Sequence, residues 1–380
     1  MSENQTHLEL FGLKSGTLQE IVNAFEPARL RQARILAGKH KIEVARAIGV
    51  SAAAVGQYES GAHRPVREHV LTLAKTLQVE PGFFTAGRAL HRVDTGSVHF
   101  RSLRSVRARD RDRALVTTEQ ALELAQALER HVRFPEVNLP YVKEGTLPHE
   151  AARLLRAHWG IGDGPFPHLV ATMEMHGIIV LVLKEGSIEK VDAFSTQVSG
   201  RPLVISTPRR SNDVYIHRFT CAHELGHLLM HPEATPGDPI HEREADEFAA
   251  ALLTPQHVMQ AILPHRLDLA ELSGLSRQWG VPVESLIRRM AEIRRSSDTS
   301  IRRAYQRLNG NSHLKTNEPW TSYPGESPSL LKQAIELCEQ SRTTLADLAH
   351  ELKWKPSRIR ELAGIQDQRP KLALVSDPDL

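Results

Sequence analysis

Apolar positions recur three and four residues apart in four short runs near the N-terminus, 28–37, 41–48, 52–60 and 67–77. That period predicts short amphipathic helices separated by tight turns. A longer run over 114–132 predicts a single long helix that ends before Pro135. The pattern then shortens to brief apolar stretches at 177–183, 191–194 and 202–206, which read as strands of a small sheet. Helical periodicity returns at 219–230 and 241–253, and again at 267–279, 283–294 and 300–308. The predicted class is mainly α with a small β-sheet, α+β. Expected boundaries are a flexible segment 1–25, a helical domain 26–85, a connector with the long helix 86–140, an α+β domain 141–308, a linker 309–328 rich in Gly, Asn, Ser and Pro, a small helical module 329–365, and a disordered tail 366–380.

Composition changes this picture little. A chain of 380 residues with 41% hydrophobic positions suits two or three soluble domains with sizeable cores. The net charge of +3 is small, so any affinity for nucleic acid must come from local patches. Cys221 and Cys338 are too few for a disulfide framework and point to a reducing, cytoplasmic setting. No signal peptide, membrane-spanning stretch or internal repeat is apparent, so no membrane association is expected.

The chemistry concentrates at His223-Glu224-Leu225-Gly226-His227, a His-Glu-x-x-His motif in an apolar helical stretch. Residues four apart share a helix face, so His223 and His227 can present two imidazole nitrogens to one metal ion while Glu224 faces the same cleft. This is the arrangement of a zinc peptidase site. With 20 histidines in the chain the motif alone carries limited weight, and a third ligand is needed. The following helix supplies candidates. Glu242 and Asp246 lie four apart on the face of Ala245 and Ala249, so Glu242 can ligate while Asp246 orients a ligand imidazole. Glu244 is the alternative third ligand, and His241 a further one if the helix starts late. Glu224 is the expected general base, taking a proton from water and passing it to the leaving amine. His217, Arg218 and His231 are candidates for stabilising a developing oxyanion, and His231 before Pro232 also suits a helix cap. The short strands suggest an edge along which an extended substrate could align. Cys221 reads as a small packed residue off the metal face.

The run 218–232, with Glu242-Arg243-Glu244-Ala245-Asp246-Glu247-Phe248-Ala249 and Leu252-Leu253-Thr254-Pro255, resembles the ImmA/IrrE family of metallopeptidases. The resemblance implies a gluzincin-like zinc endopeptidase, often acting in bacteria on a transcriptional repressor. Zn2+ is the implied cofactor, with Mn2+ or Fe2+ compatible with the same ligands. Thr254 stands where that family often has Met, a departure expected to affect packing rather than chemistry.

The helices of 27–84 carry a second resemblance. Leu30-Arg31-Gln32-Ala33-Arg34, Ala45, Gly49-Val50-Ser51, Val55, Tyr58-Glu59-Ser60-Gly61 and Arg64-Pro65 resemble the helix-turn-helix of the lambda Cro and repressor type, the XRE family. The implied partner is double-stranded DNA, read in paired half-sites by a homodimer. The helix 52–60 would enter the major groove, with Ser51, Ala52, Ala53 and Gln57 near bases or phosphates and Lys41 on a phosphate. Three alanines and Gly56 make this helix poor in base-reading groups, so modest specificity is expected. Lys39, His40 and Lys41 depart from the family's usual Leu, Thr and Gln, which should weaken the cap of the preceding helix. From Glu26 to Val70, eight Lys and Arg stand against four Asp and Glu, a local excess of +4 that favours phosphate contact. The stretch 99–113 is arginine-rich, and its His-Phe-Arg-Ser-Leu-Arg run resembles connectors found where these two domain types are joined. Asp110 and Asp112 favour a solvated connector over a DNA grip. The module 329–365, with a turn at Lys353-Trp354-Lys355, weakly mimics a helix-turn-helix.

The two resemblances imply a transcriptional regulator, of the kind used in stress responses, with a zinc-dependent endopeptidase that cleaves a repressor or another regulatory protein. The alternative is a transcription factor without proteolysis, whose metal domain senses a ligand or holds structure.

Overall fold

The chain begins its described course in helices whose ends are set by single residues. α1 (Ser15–Asn23), α2 (Pro27–Leu36), α3 (Lys41–Ile48), α4 (Ala52–Ser60) and α5 (Arg67–Leu77) follow one another with short turns. Gly49 stops α3 by taking φ +71°, a conformation glycine adopts without a Cβ penalty. Two residues later the Ser51 hydroxyl accepts the Ala54 amide at 3.1 Å and starts α4. The weak cap expected before α3 is offset, because the Glu43 carboxylate accepts the His40 amide at 2.7 Å. Part of the segment expected to be flexible is helical. Leu18 and Ile21 of α1 are buried in the same core as Val44, Val55 and Leu73. These observations come from a computed structural model that describes residues 15–93, 98–100, 107–183, 193–207, 213–232, 238–293, 296–310, 321 and 323–365.

Strand β1 (Val98–Phe100) leads to the long helix α6 (Ala108–Glu129). The helix starts six residues before the expected position and takes Arg109, Arg111 and Arg113 into its first turns; most of the preceding arginine-rich run, 101–106, lies outside the described residues. Both sides of α6 are covered. Arg29 of α2 forms two hydrogen bonds to the Glu123 carboxylate, and the side chains are only 1% and 3% exposed. That buried pair ties the N-terminal helices to α6.

After α7 (Pro148–His158) and α8 (Leu169–Met175) come β2 (Ile179–Val182), β3 (Ala193–Val198) and β4 (Arg201–Ser206). The described strands form a sheet of order β1-β3-β4-β2, with β2 parallel to β4 and the other pairs antiparallel. Ser199 and Gly200, both at positive φ, close the β3–β4 hairpin in two residues, as the twist of such hairpins favours. Alternation along the strands splits the sheet's contacts. Phe194, Leu203, Ile205 and Leu181 join the core shared with α2, α6 and the C-terminal helices, while Val180 and Val204 face the second core.

That second core is helical. It contains α7, α8, α9 (Val214–Met230), α10 (Pro239–Leu253), α11 (Gln256–Ile262), α12 (Leu269–Trp279), α13 (Val283–Glu292) and α14 (Asp298–Asn309). α9 and α10 approach closely at Gly226. A Cβ there would lie 2.9 Å from the Phe248 ring and 3.4 Å from the Ala245 Cα. The architecture is mainly α with a small β-sheet.

The chain ends its described course in α15 (Leu330–Gln340), α16 (Leu345–Leu352) and α17 (Pro356–Leu362), which pack on α6 and the first core. The expected linker is fastened at its C-terminal end. Glu326 accepts the Leu169 and Val170 amides at the start of α8, and Glu174 accepts the Ser329 and Leu330 amides at the start of α15. Residues 311–320 and 366–380 lie outside the described part. Among the described residues, no helix is long and apolar enough to cross a membrane.

Candidate metal centre and helix-turn-helix face

Asp213 caps α9 by accepting the Tyr215 and Ile216 amides, which fixes the start of the helix that carries the His-Glu-x-x-His motif. In the third and fourth turns of α9, His223 and His227 turn their Nε2 atoms to the same point, 3.1 Å apart. Glu242, in the first turn of α10, reaches that point from the facing helix. Its two oxygens lie 3.4 Å from His223 Nε2 and 3.6 Å from His227 Nε2. Ligands held about 2.05 Å from a tetrahedral ion stand about 3.3 Å from one another. The three observed separations bracket that value, and the donors are the imidazole and carboxylate types zinc takes, so the residues fit a metal ion. His223 and His227 are buried, while the Glu242 side chain keeps 19% exposure.

Burial of imidazoles demands partners for their other nitrogens. Asp246 Oδ1 sits 2.9 Å from His223 Nδ1, and Arg288 of α13 approaches the other Asp246 oxygen at 3.8 Å. His227 Nδ1 lies 3.3 Å from His231 Nδ1, and His231 Nε2 lies 2.7 Å from the Glu244 carboxylate. Each of the two imidazoles is therefore backed by a carboxylate, one directly and one through a second imidazole. Such backing fixes the tautomer that leaves Nε2 open to an ion. Glu244, weighed as a third ligand, thus engages His231 and not the imidazole pair. The helix geometry explains the split: Ala245 faces α9, with Glu242 and Asp246 on one flank and His241 and Glu244 on the other. The burial of His231 holds its pKa below the ordinary value, against the opposing pull of Glu244.

Glu224 is buried beside the pair, and Ser195 of β3 donates a 2.8 Å hydrogen bond to its Oε2. Ser195 and Arg288 were not singled out from sequence. Neither has a local signal, because Ser195 meets Glu224 from 29 positions away and Arg288 meets Asp246 from a different helix.

Among the residues expected to touch DNA, Ser51, Ala53 and Gln57 are exposed, and Ala52 is half-buried at the start of α4. Val55 and Tyr58 of that helix turn inward. Lys41 is exposed and pairs with Glu59 at 3.5 Å, which also holds Arg34. The face that remains is short-chained and mostly uncharged.

Two family models match the chain. Residues 30–84 match the helix-turn-helix model, and residues 176–291 match the model for the IrrE N-terminal-like domain, a peptidase family by its designation. This chain joins a helix-turn-helix to an IrrE N-terminal-like domain. No curated protein matches it. The IrrE N-terminal-like match encloses β2 to β4, the three donors and every residue that backs them, whereas α6 and the C-terminal helices fall outside both matches.

Within the IrrE N-terminal-like domain, two of the oxyanion candidates serve the fold. Arg218 pairs with Glu326 and donates to the Gly280 and Phe166 carbonyls. His217 Nε2 meets the Glu326 carbonyl at 3.2 Å, and burial lowers its pKa to about 4, so it is neutral near pH 7. Cys221 is fully buried beside His217, and burial raises its thiol pKa well above the usual range. Thr254, the departure from the family pattern, is buried at the end of α10, with its hydroxyl on the Ala250 carbonyl at 2.7 Å.

Proposed function

We propose that the chain is a DNA-binding regulator whose metal centre hydrolyses a peptide bond in a regulatory protein, a transcriptional repressor being the favoured substrate. His223, His227 and Glu242 hold the ion, zinc by preference, with Mn2+ or Fe2+ as substitutes in the same donor set. The bound ion supplies Lewis acidity, lowering the pKa of a water towards ~7 and polarising the scissile carbonyl. Glu224 accepts the water proton and returns it to the departing amine. Ser195 holds one Glu224 oxygen in place, and Asp246 and the His231–Glu244 pair hold the imidazoles. Ser51, Ala52, Ala53, Gln57 and Lys41 meet the DNA, and two copies of the chain read paired half-sites.

The observation that carries this reading is the buried Glu224 carboxylate beside the imidazole pair, outside the ligand set and held by Ser195. A purely structural ion has no use for a base in that place. The test is metal analysis of the purified protein beside a cleavage assay on candidate repressors. One equivalent of zinc with cleavage of a repressor supports the reading, and one equivalent with no cleavage of any candidate turns it towards a non-proteolytic sensor. The continuous core running from the helix-turn-helix through α6 to the sheet is what favours that second reading, because it couples the two domains mechanically.

A further inference from the structure

Strand β3 carries the residue that holds Glu224, so it is the strand that reaches the reacting groups. A strand has two hydrogen-bonding neighbours. On one side β3 has β4, and on the other it has β1, three residues from the connector between the two domains. Val98, His99 and Phe100 are in register with Thr196, Ser195 and Phe194, antiparallel. Position 99 is thus opposite Ser195. Facing residues in an antiparallel pair have Cα atoms about 5 Å apart, so the connector backbone passes one strand spacing from the residue that touches Glu224. An extended peptide adding to β3 would need the place that β1 occupies.

We infer that Val98–Phe100 is an internal occupant of the substrate track, so the connector competes in cis with any protein substrate. This rests on the peptidase reading above. The segment suits the role physically. A three-residue strand paired along one side makes few main-chain hydrogen bonds and opens easily, while tethering keeps its effective concentration high. The connector also links the helix-turn-helix to the metal domain, so a change in the DNA-bound domain that pulls on it would vacate the track.

The experiment compares zinc-loaded full-length protein with His99→Pro and, separately, with Val98→Gly combined with Phe100→Gly. Proline at 99 removes the main-chain donor opposite Ser195, and glycine on either side lowers the preference for an extended strand, so both changes weaken pairing to β3. The probe is a peptide hydroxamate carrying the sequence of residues 97–100, with its Kd read by calorimetry and the exchange of β3 amides read in the absence of probe. The expected result is a Kd at least 10-fold lower in both variants, faster exchange along β3, and unchanged zinc content. Glu224-dependent cutting of the chain within its own connector supports the inference equally. Equal Kd values for all three proteins overturn it and leave the peptidase reading intact. A probe that binds none of the zinc-loaded proteins overturns the peptidase reading itself.

Discussion

Glu174, near the end of α8, fastens the start of α15 and pays for it with desolvation. Its carboxylate accepts the Ser329 and Leu330 amides and the Ser329 hydroxyl, all between 2.9 and 3.1 Å. Burial outweighs those bonds and raises its pKa from 4.5 to about 7. A carboxyl whose folded pKa is raised favours the folded state most fully at low pH, below 4.5, and loses that contribution as pH climbs through 7. The shift from 4.5 to about 7 corresponds to roughly 3 kcal/mol, on the order of 100-fold in the constant for detaching α15. Hydrogen exchange of the Leu330 amide, corrected for intrinsic rates, measures that constant. Between pH 5 and pH 8 the wild-type protection should fall on the order of 100-fold, and in Glu174→Gln, which cannot ionise, it should stay flat. Wild-type protection that is constant or rises with pH refutes the reasoning.

Three further outcomes follow from the geometry. Glu123→Ala strands the buried Arg29 and takes the carboxylate from Arg88 as well, and should cost about 3–5 kcal/mol in denaturant unfolding; a loss under ~1 kcal/mol would show that the pair does not join α2 to α6. Ser195→Ala should keep its zinc and lower turnover ~10–100-fold, as expected when a group that orients a reacting side chain is removed, and zinc loss would assign Ser195 to the metal instead. Lys41→Ala should reduce the slope of log K against log salt for DNA binding by about 0.9, and an unchanged slope would mean that Glu59 keeps Lys41 from the phosphates.

Legibility in the sequence followed the range of the interaction. The helices of the helix-turn-helix could be placed almost to the residue, because Gly49 and Ser51 set a stop and a start locally. The same holds for the pairing of Glu242 with Asp246, which needs only the helix period. What stayed hidden depends on contacts between distant segments. Ser195 reaches Glu224 across the sheet, Arg288 reaches Asp246 from α13, and His231 joins Glu244 only because α9 and α10 meet at Gly226. β1 lies in a stretch whose arginines suggested a solvated connector, yet it pairs with β3 as an outer strand of the sheet. The linker before α15 read as free from its Gly, Asn, Ser and Pro content, yet Glu326 and Glu174 fasten its far end through main-chain amides, which leave no compositional trace.

Peptide hydrolysis as proposed needs Glu224 to act as a base and not merely to line a metal site. The most direct measurement incubates a candidate repressor with zinc-loaded wild type and with Glu224→Gln, confirms equal zinc content, and reads the repressor's mass. The expected result is a single cut by the wild type and an intact repressor with Glu224→Gln. A repressor cut equally by both proteins would contradict it.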